Sequence, residues 1–302
     1  NNGILLANGA NNNVGGLVGF LQSDLNFIPN IMITIENSVN NGDIISNGSS
    51  IHKVGGLFGT VLNNREMQFS INNCSNAAEI KVNSTGTSHV GGLVGMIQGN
   101  IVSRIQLSDS ENNGSIEVYG YHNNVGGLVG YITGNSFTHM IMSRSRNNGR
   151  INLFKTTSTS VLGGIIGVID QSSSSTVSLL NIVNTMNITS CINCLSNNAG
   201  LVGFIQIPSK TTTFKVSISN SLNLGTVSNT FKGSRACGLF CVSSYTFSHQ
   251  VVVEVTNSIN NGTVSGDYSY GIGNGASKAE NIVSMGNAKR STIPFFSYCE
   301  RN

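Results

Sequence analysis

The sequence predicts an all-β fold: a right-handed, parallel β-helix-like solenoid of about eight coils, with three short strands in each repeat of about 36 residues. The first observation behind this prediction is a repeated motif of Ser or Cys, Asn two residues later, Gly or Ala four residues later and Ile or Val six residues later, followed further along by Val-Gly-Gly-Leu-Val-Gly. The second is the lack of any helical hydrophobic pattern, in a chain with only 3 prolines.

The motif defines the register of the repeats. Its first residue, which we call the anchor, is assigned to Ser38, Cys74, Ser110, Ser145, Thr185, Ser221 and Ser258, with a degenerate copy at Ser284. Because Asn and Gly enter left-handed backbone conformations most readily, we expect the Asn and Gly of the motif to mark a turn. Asn1 matches the motif asparagine, so the chain starts within a repeat and is expected to be a piece of a longer protein.

Three segments of each repeat read as strands. The segment before the anchor alternates apolar residues, as at Ile31, Ile33 and Ile35, and so does the segment after the turn, as at Ile80 and Val82. We take the Val-Gly-Gly-Leu-Val-Gly segment as the third strand. Stacked coils would place equivalent residues about 4.8 Å apart along the axis.

Two rows of stacked side chains follow from this register. One is a buried apolar row three residues before each anchor, assigned to Ile33, Ile71, Leu107, Met142, Ile182, Ile218 and Val255. The other is a row of the motif asparagines, whose amides can bond along the axis as they do in cross-β structures. This predicted structural ladder comprises Asn40, Asn76, Asn112, Asn147, Asn187, Asn223 and Asn260.

The repeated Gly-Leu-Val-Gly core resembles that of the GLUG repeat family. It occurs at Gly16–Gly19, Gly92–Gly95, Gly127–Gly130 and Gly200–Gly203, and the motif turn is similar to the Asn-x-Gly segment of such arrays. The resemblance implies a large secreted or surface-attached protein, such as an adhesin, and supplies no catalytic residues. We expect two units: a repeat solenoid over residues 1–275, and a C-terminal cap or the start of a following segment over residues 276–302.

Composition narrows the function classes. Charged residues make up 10% of the chain and the net charge is +3, too few and too scattered for a nucleic-acid-binding surface. No apolar run approaches the ~20 residues that span a bilayer. Sequons permit N-glycosylation at Asn47, Asn83, Asn113, Asn187 and Asn261, and we favour Asn47 and Asn83 because they fall in predicted loops.

The 6 cysteines are interpreted mainly as small buried residues with free thiols, because they occupy apolar or small positions of the repeat. On one straight strand Cys237 and Cys241 are too far apart to bridge. A disulfide that involves Cys194 or Cys299, and a metal site, are the alternatives. His52, His89 and His122 precede successive Val-Gly-Gly segments and could share a face, although lone loop histidines are usually only solvated.

No catalytic, cofactor-binding or metal site is predicted. Glycan-cleaving enzymes need converging carboxylates, and here only Asp43 and Glu79 share a register in adjacent coils. We therefore expect a non-catalytic extracellular stalk or adhesin, without a cofactor, that binds surface glycans or proteins. The alternative is a structural component of a filament or coat, in which copies of the chain join through solenoid ends or faces.

Overall fold

A computed structural model of the chain describes residues 1–23, 31–63, 66–99, 103–134, 138–156, 158–171, 175–191, 194–206, 214–229, 231–242, 251–273, 278–285 and 288–290. Strands, numbered β1 to β38 in chain order, are the regular secondary structure of these residues. They pair in parallel with the equivalent strands of neighbouring turns, as β9 pairs with β4 and β13. The fold is a β-solenoid, as the repeat period predicts.

Each turn begins with the first and second sheets. The first sheet consists of β4 (Ile31–Glu36), β9 (Met67–Asn72), β13 (Ser103–Ser108), β17 (Thr138–Ser143), β22 (Ser175–Leu180), β27 (Phe214–Ser219), β32 (Val251–Thr256) and β36 (Lys278–Glu280). The second sheet consists of two-residue strands: β5 (Val39–Asn40), β10 (Ser75–Asn76), β14 (Glu111–Asn112), β18 (Arg146–Asn147), β23 (Val183–Asn184), β28 (Leu222–Asn223), β33 (Ile259–Asn260) and β37 (Val283–Ser284).

The third sheet has two arms, and β11 (Ile80–Gly91) and β15 (Ile116–Gly126) run through both of them. The first arm also contains β1 (Leu5–Asn8), β6 (Ile44–Gly48), β19 (Ile151–Lys155), β24 (Ile188–Ser190), β29 (Val227–Asn229), β34 (Val264–Gly266) and β38 (Ala288–Arg290). The second arm also contains β2 (Asn12–Gly15), β7 (His52–Gly55), β20 (Ser160–Gly163), β25 (Ser196–Ala199), β30 (Arg235–Cys237) and β35 (Tyr268–Tyr270).

The fourth sheet completes the turn. It consists of β3 (Val18–Gln22), β8 (Phe58–Asn63), β12 (Val94–Gly99), β16 (Val129–Gly134), β21 (Ile166–Gln171), β26 (Val202–Gln206) and β31 (Phe240–Val242). Six complete turns run from β4 to β31, fewer than the eight coils predicted. The difference arises because the first and last copies of the motif belong to partial turns, β1–β3 and β32–β38.

A left-handed residue turns the chain out of the first sheet. The residue directly before each motif has φ between 48° and 56°, at Asn37, Asn73, Asp109, Arg144, Asn181, Asn220, Asn257 and Asn281. Asn and Asp tolerate this conformation better than other residues with a side chain. The sequence prediction had placed the left-handed backbone at the motif Asn and Gly themselves, and this position was wrong.

Two large hydrophobic cores fill the interior, and a small third cluster comprises Ala199, Cys237 and Cys241. One core lies between the first and fourth sheets and includes Phe58, Phe69 and Leu107. The other lies between the two arms of the third sheet and includes Ile80 and Val90. Between them the turn narrows to a waist, where the asparagines of the second sheet meet the Gly-Gly corner of the preceding turn.

The Val-Gly-Gly-Leu-Val-Gly segment is a corner and not a single strand. In the second complete turn Val90 and Gly91 end β11, Gly92 and Leu93 form the corner, and Val94 begins β12. Both Leu93 and Val94 are fully buried in the first core. The corner lets the outer faces of the third and fourth sheets approach each other, as the ring stacking of His89 on Tyr131 shows.

The fifth repeat was assigned in the wrong register, and so was the degenerate last copy, where Ser284 pairs with Asn260 and Ile282 therefore holds the anchor position. The motif of the fifth repeat starts at Ile182 and not at Thr185, because Val183-Asn184 pairs with Arg146-Asn147. The buried apolar row therefore contains Leu179 in place of Ile182. It also contains Ile35 in place of Ile33, since Ile35 pairs with Ile71. The other five predicted members lie in this row and are buried.

The pairing of the solenoid continues past residue 275, where we expected the repeats to end. Strand β36 pairs with β32, β37 with β33, and β38 with β34, so the array extends to Arg290. The remainder of the predicted cap, residues 291–302, lies outside the described residues, as does Cys299.

Four cysteines form disulfides, contrary to the free-thiol prediction. Cys237 is bonded to Cys241 with a Cα–Cα distance of 5.8 Å, because the corner at Gly238-Leu239 folds the chain back between them. Cys191 is bonded to Cys194 with a Cα–Cα distance of 5.2 Å. Cys74 is a buried free thiol, and burial raises its pKa.

Candidate functional site

An open groove of about 910 Å³ lies on the outer face of the first sheet. Two rows of outward side chains line it, because alternate residues of each strand point away from the core. The row nearer the strand starts contains Met32, Gln68, Arg104, His139 and Thr176. The second row contains Thr34, Ser70, Gln106 and Ile141.

The lining of the groove is rich in hydrogen-bond donors. Met32, Gln68, Arg104, Gln106 and His139 are exposed to solvent. Among the residues that the structure describes, no Asp or Glu lines the groove, and no hydrogen bond or ion pair joins the Arg104 guanidinium to another residue. The groove can therefore offer a cation, amides and hydroxyls to a polar ligand.

The motif asparagines form a buried ladder along the waist. The amide Nδ2 of Asn112 donates to Oδ1 of Asn147 at 2.9 Å and to the carbonyl oxygen of Gly114 at 2.9 Å. Seven hydrogen bonds between side-chain amides of adjacent turns form the ladder. Its members are Asn1, Asn40, Asn76, Asn112, Asn147, Asn184, Asn223 and Asn260. All of these side chains except that of Asn1 are fully buried.

Asn187 is not part of the ladder, although we predicted it there. Asn184 occupies the ladder position of the fifth repeat, and its Nδ2 donates a hydrogen bond to Oδ1 of Asn223 at 2.8 Å. Asn187 is exposed, and its Oδ1 accepts a hydrogen bond from the backbone N–H of Thr226. The prediction failed because Thr185-Met186-Asn187 imitates the first three residues of the motif.

Glycine covers the ladder from the opposite side of the waist. A Cβ on Gly92 would overlap with the carbonyl oxygen of Gly127 and with the side chain of Asn112. Equivalent glycines face the ladder in every turn, at Gly16, Gly56, Gly92, Gly127, Gly164, Gly200 and Gly238. The ladder is thus sealed by backbone and is inaccessible to a ligand.

The candidate glycosylation sites lie on the surface. Asn83, Asn113, Asn187 and Asn261 are exposed, and Asn47 is half-buried. Asn47 lies in β6 and Asn83 in β11, so the loops that favoured these two residues are strands in the structure. Modification of the five asparagines stays a prediction.

The three histidines do not share a face. His52 pairs in register with Ser88, whereas His89 pairs with Lys53 and His122 with Thr87. Successive residues of a strand point to opposite faces, so His52 lies on the inner face, whereas His89 and His122, two register positions apart, both lie on the outer face. Among the described residues, no three His, Cys, Asp or Glu side chains converge as metal ligands would.

His52 belongs to a buried polar row inside the third sheet. Its Nδ1 lies 2.8 Å from Ser46 Oγ, while its Nε2 has no partner. The next two members of the row, Ser88 and Asn123, each also leave one buried oxygen without a partner. Burial lowers the pKa of His52.

His89 lies on the opposite face, in the cleft between the third and fourth sheets. Its ring stacks on Tyr131 with 4.4 Å between centroids, and its Nδ1 lies 3.1 Å from Asn124 Nδ2. The Tyr131 hydroxyl donates to Asp170 at 2.6 Å. Burial lowers the pKa of His89 to about 3, and burial with the Asp170 contact raises the pKa of Tyr131. Sequence analysis missed this cluster because the cleft exists only once the corner forms.

Asp43 and Glu79 lie in adjacent turns, but each has structural partners. Asp43 Oδ1 accepts a hydrogen bond from the backbone N–H of Glu79 at 3.0 Å. The Glu79 carboxylate pairs with Lys81 at 2.8 Å. Similar ion pairs join Arg144 to Asp109 and Arg146 to Glu111. These acids support the stacking of turns, in an arrangement that leaves no free carboxylate pair at this position.

The fold defines the class of protein: a β-solenoid with an amide ladder at its waist. Comparisons with protein-family models, curated proteins and solved structures find no match for the chain. No helix in the described ranges is long and apolar enough to cross a membrane.

Proposed function

We propose that this chain is a non-catalytic repeat module that works outside the cell, as a stalk or adhesin that binds a surface glycan or protein. The observation that carries the proposal is the groove on the first sheet, where outward amide and hydroxyl side chains stand in rows at the spacing of the turns, with Arg104 among them. Repeated weak polar contacts along a rod gain affinity through multivalency. A binding surface of this kind needs no reactive group.

Three further features support the proposal. Disulfides persist mainly in oxidising compartments, and four cysteines are bonded here. The exposed sequons suit a secreted glycoprotein. The resemblance to GLUG repeats likewise implies a secreted or surface-attached protein. The partners that Asp43 and Glu79 already have argue against a role for them as a general acid and base.

A binding screen with an activity assay beside it tests this function. The purified chain is applied to a glycan array and to extracellular proteins, and the release of reducing ends and of peptides is measured in parallel. We expect specific binding and no cleavage. Cleavage that is lost in Asp43→Asn and Glu79→Gln variants would contradict the proposal, and so would the absence of any ligand.

Assembly into a filament or coat is the second candidate function. The partial turn β1–β3 exposes several large apolar side chains, including Ile4, Leu6, Leu17 and Phe20, and a second copy of the chain would cover such a surface. Sedimentation over a range of concentrations tests this candidate. Growth in mass that Leu6→Glu abolishes would support assembly, whereas a monomer at every concentration would remove it.

A further inference from the structure

Four cations of this solenoid are matched by an acid in an adjacent turn or two residues away in the same turn. Lys81 pairs with Glu79, Arg144 with Asp109, Arg146 with Glu111 and Lys215 with Glu254, at 2.6–3.3 Å. Lys215 belongs to the same outward row of the first sheet as Arg104. Its ion pair shows that this row can match a cation when an acid stands beside it.

Arg104 lacks such a match. Its neighbours in the row are Gln68 in the turn before and His139 in the turn after. The next outward position of its own strand is Gln106, and no carboxylate lines the groove among the described residues. An exposed guanidinium that no acid neutralises, in a concave site, is the arrangement that takes up a ligand carboxylate in bidentate fashion.

We propose that the groove binds a carboxylated glycan and that Arg104 is the residue that binds its carboxylate. This inference rests on the proposed binding function and names its ligand class. The side-chain amides of Gln68 and Gln106 bind the sugar hydroxyls, since they provide both donors and acceptors. The Ser70 hydroxyl donates to Thr34 and so adds an acceptor. Nδ1 of His139 is hydrogen-bonded to Thr176, so His139 offers its Nε2 beside Arg104.

The floor of the groove favours a glycan over a peptide or a nucleic acid. The backbone groups of β9, β13 and β17 are already paired with neighbouring turns, so a peptide finds no open strand edge to extend. Among the described residues of the outward rows none is a Phe, Tyr or Trp, so the single ring of His139 offers no run of stacking platforms for successive bases. A single unmatched cation among amides and hydroxyls suits a ligand with many hydroxyls and few charges.

Calorimetry on matched polymers tests the proposal. The probes are polygalacturonate, alginate and polysialic acid, each compared with its carboxyl-reduced, neutral form at low salt. We expect at least one acidic polymer to bind about tenfold or more tightly than its neutral form, the effect of one charge-assisted hydrogen-bonding contact. Arg104→Gln should abolish that preference, and Arg104→Lys should retain part of it.

Arg150→Gln is the matched control, because Arg150 is exposed and lies outside the groove. It should keep the preference, and the melting temperatures of all three variants should match that of the wild type. A preference that survives in Arg104→Gln, or its absence with all three polymers, overturns the inference. Equal competition by polyglutamate or single-stranded DNA overturns it as well. If the array still identifies another ligand, the proposed function stands while this inference falls.

Discussion

Each fixed residue of the repeated motif has its own physical role. The anchor hydroxyl of Ser110 donates to the carbonyl oxygen of Ser108 at 2.7 Å and accepts the backbone N–H of Cys74 at 3.1 Å. The asparagine that follows two residues later uses both amide hydrogens, one within its turn and one toward the next. A short motif is therefore repeated because each turn has the same buried polar groups to satisfy.

We expect Asn112→Ala to lower the free energy of unfolding by about 1–3 kcal/mol, because it leaves buried hydrogen-bonding partners unsatisfied. Urea titration followed by circular dichroism measures the change. Asn83→Ala is the matched control, since Asn83 is an exposed residue of β11, and it should shift the midpoint little. Equal effects of the two substitutions would show that the ladder does not stabilise the fold.

The corner glycines are under a stricter constraint than the ladder. We expect Gly92→Ala to destabilise the protein by about 1–3 kcal/mol or more, because the new methyl group overlaps with backbone that cannot move aside. Gly3→Ala is the control: the nearest atom to its Cβ would be Asn1 Oδ1 at 3.9 Å. Thermal melting of the two variants measures the difference, and a wild-type melting temperature for Gly92→Ala would refute the close packing.

Residue patterns predicted the ladder in six of its seven assigned positions. They failed in the fifth repeat, where Ile182 replaces the anchor serine and Thr185 offers a false one. The sequence prediction chose Thr185 as the anchor because it has a hydroxyl, although the spacing from Asn147 favours the earlier position. In the folded chain, the continuity of the hydrogen bonds from Asn147 to Asn223 selects Asn184.

At the scale of elements, alternation predicted the strands before and after the motif but not the corner between the third and fourth sheets. Val90 and Val94 both point into the interior even though they belong to different strands. A period-two pattern cannot distinguish a straight strand from two strands joined at a glycine pair. Three features depend on how the chain folds in three dimensions, so the sequence alone could not show them. They are the cleft that holds His89, the disulfide between Cys237 and Cys241, and the groove that Arg104 lines.

The corner also determines the state of two cysteines. When the protein is produced in an oxidising compartment and unfolded without a reductant, Cys237 and Cys241 should resist alkylation, while Cys74 should react. Peptide mass spectrometry detects the labels, and prior reduction should make all three residues reactive. Labelling of Cys237 without reduction would show that this disulfide does not form.

The buried row of the first sheet supplies much of the apolar packing. We expect Leu107→Ala to cost about 2–5 kcal/mol, because the side chain is fully buried between Ile71 and Met142 and leaves a cavity. Gln106→Ala, one residue earlier and exposed, is the control and should be nearly neutral. Denaturant midpoints compare the two variants, and a neutral Leu107→Ala would mean that the row is not a core.

At the scale of the whole molecule, the rod encloses histidines that are kept neutral. Burial lowers the pKa of His52, His89 and His122. For His89 burial is the largest cause, and the charges of Lys53 and His122 act in the same direction. The nearby acid on the other wall of the cleft is Asp170, which accepts a hydrogen bond from the hydroxyl of Tyr131, the ring that stacks on His89. The turns are linked through shared sheets, so loss of one buried site weakens its neighbours.

Acid should therefore destabilise the rod. His89 has a pKa of about 3 in the fold and an ordinary value of 6.5 in the unfolded chain, so below pH 6.5 the unfolded chain binds a proton that the folded protein does not. Above pH 6.5 His89 is neutral in both states and does not lower the free energy of unfolding. Below pH 6.5 the free energy of unfolding should fall steadily as the pH drops toward 3. Urea titrations across this range measure the slope. His89→Gln, which cannot titrate, should make the slope shallower, and the lowered pKa values of His52 and His122 account for part of the slope that remains. A slope that His89→Gln does not alter would mean that His89 takes up its proton equally well in the folded and the unfolded chain.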